Sequence, residues 1–221
     1  MTARGAKVAA IAGVCAAVAL AGVGAVLYLV PRAVPIFQRT LGNFSSGRMG
    51  QAGMEALLER VAKRLDPELR TKLAQAVLTE SERAGYDPLF ILGLVSVESG
   101  FRPHVSSERG AYGLMQLKPS TFAWIAGRNP DIGDGAAVSE DPVIDVRLAI
   151  RYFGWLERSF HRREEALMAY NAGPGRMRHY KRVGIPPAVR AYPRKVMREY
   201  ERFARLAGRQ DPRDVMLARA N

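Results

Sequence analysis

Glu98 closes a long apolar stretch, Pro88 to Val97, and is followed at once by Ser99 and Gly100. Val95, Leu94 and Ile91 precede it at the spacings that share one helix face. A helix here projects the carboxyl from its apolar face, just where the helix stops. A carboxyl desolvated in this way resists ionising, and its pKa rises. A carboxyl that keeps its proton near neutral pH is a general acid, which is what cleavage of a glycosidic bond requires. A solvated helix end or a structural ion pair would give the same local sequence, so Glu98 alone leaves those readings open.

The residues beyond Glu98 narrow them. The chain reads Glu98-Ser99-Gly100-Phe101-Arg102-Pro103, then Ser106-Ser107, then Gly110-Ala111-Tyr112-Gly113-Leu114-Met115-Gln116, then Pro119. Further on comes Ala169-Tyr170-Asn171-Ala172-Gly173. In these pieces, in this order, residues 75 to 205 resemble the soluble lytic transglycosylase (SLT) family, goose-lysozyme-like enzymes acting on bacterial peptidoglycan. The resemblance implies a lysozyme-like fold and cleavage of the bond between N-acetylmuramic acid and N-acetylglucosamine, leaving 1,6-anhydromuramic acid ends. It implies that Glu98 alone serves as acid and then as base. It places Ser107 against the Glu or the substrate, the Gln116 amide on the sugar, and Tyr170 close to the catalytic carboxyl. It leaves Asn171 as a sugar ligand and Tyr192 as a residue lining the cleft. The family often reads Tyr-Val at that last position, where this chain has Tyr192-Pro193, so the match is weakest there.

The same residues have plainer readings. Ser106 reads as a loop-capping hydroxyl, and Met115 and Trp124 as packing residues. Tyr170 shares a helix face with Ala166 and Leu167, as a core residue does. Asn171 suits a helix end as well as a sugar. Gly110 and Gly113 fit a tight loop path or ordinary turns. Most glycosidases use two carboxyl groups, yet Glu108 is the only other acid between Ser99 and Pro130. A hydrolase of the lysozyme type needs Glu108, Asp131 or Asp134 as its second carboxylate. A third reading is a non-catalytic wall-binding module of an envelope machine.

The elements that must position these residues are helical. The signal begins near Met54 and runs to Leu65. Asp66-Pro67, Asp87-Pro88 and Asp141-Pro142 each pair an N-cap with a first-turn proline and open a helix. The first of these ends by Gly85, and the second carries Glu98. Lys118-Pro119-Ser120 starts a short helix through Trp124. A loop from Gly127 to Asp141 is rich in Asn, Asp, Gly and Pro. Helices then span Arg162 to Asn171, Arg176 to Val183 and Pro187 to Leu206. With no strand alternation, the fold class is all-α, preceded by an N-terminal transmembrane helix.

That helix is residues 8–30, an uncharged apolar run about 35 Å long if helical, enough to cross a bilayer. Arg4 and Lys7 before it favour a cytoplasmic N-terminus and a catalytic domain facing the periplasm. A cleaved signal peptide, with Ala19-Leu20-Ala21 as the processing site, is the alternative. The organisation is an anchor or signal over 1–30, a linker over 31–53, the catalytic domain over 54–208 and a tail over 209–221. Cys15 is the only cysteine of the 221 residues, so no disulfide can form within the chain. His104, His161 and His179 lack metal-ligand spacing, and no cofactor motif is present. The net charge of +12 suits an anionic partner, but no nucleic-acid motif accompanies it. Its densest group is Arg176, Arg178, His179, Lys181 and Arg182. The expected partners are peptidoglycan glycan strands, the membrane through residues 8–30, and an unidentified envelope-spanning assembly.

Overall fold

The computed structural model describes residues 49–132 and 141–209. The apolar run 8–30, most of the linker, Asp134 and the tail from 210 onward lie outside them. The described chain forms eight helices: α1 (Gln51–Val61), α2 (Pro67–Ala84), α3 (Pro88–Ser99), α4 (Pro119–Ala126), α5 (Pro142–Phe160), α6 (Arg163–Ala172), α7 (Pro174–Val183) and α8 (Pro187–Leu206). No strand occurs among the described residues. Two isolated antiparallel bridges, Ser106 with Tyr112 and Tyr112 with Leu117, pin the loop between α3 and α4.

All three Asp-Pro starts form as the sequence predicts. Asp66 accepts from the Leu69 N–H at 2.9 Å, Asp87 from Leu89 at 2.9 Å and Asp141 from Val143 at 2.8 Å. Each carboxylate satisfies a backbone donor that the first turn leaves unpaired. The first helix departs from expectation. It begins at Gln51 and stops at Val61 rather than running from Met54 to Leu65. Gly50 is extended and starts the turn early, while Leu65 still packs in the core from a short turn beyond the helix end.

α3 is apolar all round, and Leu89 to Val95 are all buried. A helix of that kind belongs in the middle of a domain. α8 lies against it, and Gly93 sets their separation. A Cβ there would stand 3.1 Å from the Val196 carbonyl oxygen and 3.2 Å from the Tyr200 nitrogen, so a side chain would push the helices apart. Ser96 donates to Glu199 at 2.7 Å across the same seam. On the other side, α2 is tied to α5 through Glu80, which is 1% exposed and pairs with Arg147 at 3.2 Å, Arg151 at 2.9 Å and Arg83 at 3.4 Å. A buried carboxylate is tolerated only when paired in this way.

Candidate active site

The end of α3 delivers Glu98 to a cleft of about 430 Å³, within the usual range for ligand sites. Glu98, Ser107, Gln116, Tyr170 and Asn171 all line it. Five of the six site residues expected from the sequence therefore converge from α3, the α3–α4 loop and α6. The sixth, Tyr192, is buried behind Glu98 and donates its hydroxyl to Glu98 Oε1. Gly93 explains how: the close approach of α8 to α3 brings the start of α8 level with the end of α3.

Among the described residues lining the cleft, Glu98 is the only acid. Its pKa is raised to about 7. Burial is the main cause, Asp145 nearby adds to it, and the Tyr192 hydrogen bond opposes it. Tyr192 and Tyr170 are themselves pushed well above the usual phenol range by burial and by Glu98, so both stay protonated donors.

Asp145 is a site residue that the sequence reading does not single out. It is 4% exposed on α5, and its Oδ2 accepts from the Met115 N–H at 2.9 Å. Burial raises its pKa to about 7, against the pull of the Met115 and Leu114 amides. Its backing of the loop depends on Gly113, which has φ +83° and whose added Cβ would lie 2.5 Å from Asp145 Oδ2. Gly113→Ala therefore combines backbone strain with a collision. We expect it to lose about 2–4 kcal/mol in a denaturant titration, the sum of those two effects. Gly110→Ala, at φ +73° with nothing within 4 Å, bears the strain alone and is the matched control. Equal losses in the two variants would mean that the Asp145 contact does not constrain the loop.

The loop residues take positions that partly depart from expectation. Ser107, not Ser106, closes the loop, its Oγ accepting from the Ala111 N–H at 3.0 Å. The Gln116 amide nitrogen donates to the Val105 and Gly113 carbonyls at 2.9 and 3.0 Å, which holds a residue at φ +51°. Tyr170 lies near enough to Glu98 for that carboxyl to raise its pKa, and its hydroxyl donates to the Met115 carbonyl at 2.9 Å. A buried phenol needs an acceptor, and the loop turns that carbonyl toward it. Asn171 is exposed in the last turn of α6 and is not the cap, a position Gly173 takes. Met115 is fully buried, and Trp124 packs edge-on against Trp155 with Arg128 over its ring. Of the alternative second carboxylates, Glu108 does not line the cleft and Asp131 pairs with Arg151 at 3.5 Å.

The domain is helical, built round one apolar helix, and that helix ends on a carboxyl with a pKa raised to about 7 that faces an open cleft. Residues 75–184 match the family model of the transglycosylase SLT domain. Over 98 residues the chain is 37% identical to the endo-type membrane-bound lytic murein transglycosylase A of Klebsiella pneumoniae, covering 42% of this chain and 48% of that protein. Over 109 residues it is 31% identical to the membrane-bound lytic murein transglycosylase C of Haemophilus influenzae, covering 43% and 29%. The chain thus spans about half, or less, of the length of these curated relatives. Among solved structures, the fold matches the lytic transglycosylase Slt of Pseudomonas aeruginosa, in an inactive mutant form. That match has a TM-score of 0.54 and 23% identity, and it covers 73% of this chain and 31% of that one. The 70 kDa soluble lytic transglycosylase of Escherichia coli matches with a TM-score of 0.54 and 21% identity, covering 73% and 29%.

Proposed function

We propose that the protein is a peptidoglycan lytic transglycosylase that cleaves the β-1,4 bond between N-acetylmuramic acid and N-acetylglucosamine. The observation that carries this reading is Glu98, the single carboxyl lining the cleft among the described residues, its pKa raised to about 7 chiefly by burial. Glu98 gives its proton to the glycosidic oxygen as the bond to C1 breaks. The substrate's own N-acetyl group meets the positive charge that develops at the sugar. The Glu98 carboxylate then takes the proton of the muramyl 6-hydroxyl as that oxygen attacks C1. The 1,6-anhydro ring closes, Glu98 regains its proton, and no water is consumed. An internal nucleophile held beside C1 outcompetes water by proximity.

The neighbours divide the remaining work. Tyr192 steadies Glu98 Oε1 and supports the carboxylate stage. Gln116, its amide nitrogen committed to the loop, offers its amide oxygen to a sugar hydroxyl. Ser107 and Asn171 add polar contacts along the glycan. Tyr170 donates to the Met115 carbonyl and Asp145 accepts from the Met115 N–H, and together they fix the loop beside Glu98. We place the domain on the periplasmic side of the inner membrane, anchored by residues 8–30. The apolar run, with Arg4 and Lys7 before it, and the membrane-bound relatives support that placement.

The test is mass spectrometry of the muropeptides that the full chain, in detergent, releases from purified sacculi. Products with 1,6-anhydromuramic ends, lighter by one water than reducing ends, are expected. Reducing ends would instead make it a hydrolase, and release of nothing despite binding would make it a wall-binding module.

A further inference from the structure

The charge of the domain is unevenly placed. Residues 49–132 and 141–173 hold fifteen Lys and Arg and fifteen Asp and Glu, so that part is balanced. Residues 174–209, which carry α7 and α8, hold eleven against two. The excess therefore belongs to two helices and not to the surface at large. Along α8, Arg190, Arg194, Arg198 and Arg205 recur at spacings of four, four and seven, which places them on one helix face. All four are exposed. The opposite face carries Tyr192, Val196, Tyr200 and Phe203, all buried, and from it Tyr192 reaches Glu98. Of the two acids, Glu199 is taken up by Ser96 and Arg202, which leaves Glu201 within the arginine face. No residue of α8 lines the cleft.

A second observation falls on the same segment. Two large apolar side chains among the described residues stand open to solvent: Val183, 65% exposed at the end of α7, and Met197, 37% exposed on α8. Met197 follows Arg190 by seven residues and so stands with the arginines. A glycan or nucleic-acid polyanion would leave such apolar groups wet. A bilayer surface accepts both kinds, its phosphates meeting guanidinium groups and its acyl boundary meeting apolar ones. The chain also supplies proximity. Residues 31–50 join the apolar run 8–30 to α1, and a segment of that length spans at most roughly 70 Å. We propose that the outer face of α8 docks the domain on anionic phospholipid headgroups, with Arg190, Arg194, Arg198 and Arg205 on the phosphates and Met197 entering the interface. The proposal rests on the membrane placement given above and not on the chemistry of Glu98. The docking face is the side of α8 turned away from Tyr192 and Glu98, so a docked domain keeps its cleft clear.

The test reconstitutes the full chain into lipid nanodiscs of phosphatidylcholine alone, or of phosphatidylcholine and phosphatidylglycerol in equal parts. A polarity-sensitive dye is attached at position 197 of the C15S/M197C variant, and a quencher is carried on the lipid headgroups. Each cation close to an anionic bilayer favours it about fivefold, so four opposed by Glu201 should raise the docked-to-undocked ratio about 100-fold over neutral discs. The dye should shift to the blue and be quenched in the anionic discs, and high salt should return it to water. R190Q/R194Q/R198Q/R205Q should abolish the response. The control K63Q/R64Q/R158Q/R162Q, an equal loss of exposed charge on other elements, should keep it. Equal emission in the two lipids would overturn the proposal, as would a response that survives in the α8 variant. A chain that binds sacculi through these arginines but ignores anionic discs would give the face to a wall polymer instead. A chain that does not enter phosphatidylcholine discs would count against the anchor alone, and its binding to anionic discs would still decide the docking face.

Discussion

Glu98→Gln should keep the helical fold and lose about 10³-fold of its turnover, the scale on which a general acid acts. Glutamine matches the shape of glutamate, and its amide oxygen can still accept from the Tyr192 hydroxyl. The variant therefore preserves the geometry and removes only the transferable proton. Its stability should change with pH in a defined direction. In the folded state Glu98 titrates near 7, against an ordinary value of 4.5. Between those values the folded state binds more protons than the unfolded one, so stability falls as pH rises. The slope is bounded by about 1.4 kcal/mol per pH unit for one group, less here because Glu98 opens onto solvent. Glu98→Gln removes that slope. It should therefore gain on the wild type between pH 5 and pH 8 in thermal melts, while release of anhydro-muropeptides collapses at both. Turnover close to wild type would remove Glu98 from the chemistry and leave Asp145 as the other buried carboxyl with a raised pKa.

The parts of this molecule that are readable from sequence are those written in short range. An Asp-Pro pair states its own cap, and three of them set the starts of α2, α3 and α5 correctly. The unbroken apolar run of α3 marks a buried helix, and its abrupt end marks where Glu98 emerges. Ser107, Gln116, Tyr170 and Asn171 sit in compact motifs, which is why their approach to one cleft could be expected. Their bonding could not, because it depends on backbone turns at Gly113 and Gln116 that no periodicity records. Gly93 is equally silent. Its reason for being glycine is the backbone of α8, a hundred residues further along. Asp145 escapes notice for a related cause. Nearness in sequence to the motif loop points to Glu108, Asp131 and Asp134, whereas the loop's buried acid comes from α5. A usable signal is present. Asp145 stands one turn before Leu148 and Ala149 and two before Tyr152, a carboxyl on an apolar face like Glu98 itself.

Asp145→Asn should separate the two things this carboxyl does. Its oxygen accepts from the Met115 N–H, and its charge raises the pKa of Glu98. Asparagine keeps an acceptor oxygen, so the loop should hold. It abolishes the charge, so the Glu98 pKa should fall. The other groups facing Glu98 are Tyr192 and Tyr170, both uncharged throughout this range, and neither can replace the lost charge. The alkaline limb of the rate profile, where Glu98 gives up its proton, should therefore move to lower pH. Stability should move the opposite way at pH 8. Asp145 titrates near 7 when folded against 3.8 ordinarily, and the variant escapes the cost of ionising it in the core. Asp145→Leu removes the acceptor as well. It leaves the Met115 N–H buried and unpaired, at about 1–3 kcal/mol. The loop then loosens, and turnover should drop at every pH rather than along one limb. A pH–rate profile for the two variants, with melts at pH 5 and 8, distinguishes the cases. If Asp145→Asn left the alkaline limb in place while Asp145→Leu still lost activity, Asp145 would be only an anchor for the loop, and the raised pKa of Glu98 would be owed to burial alone.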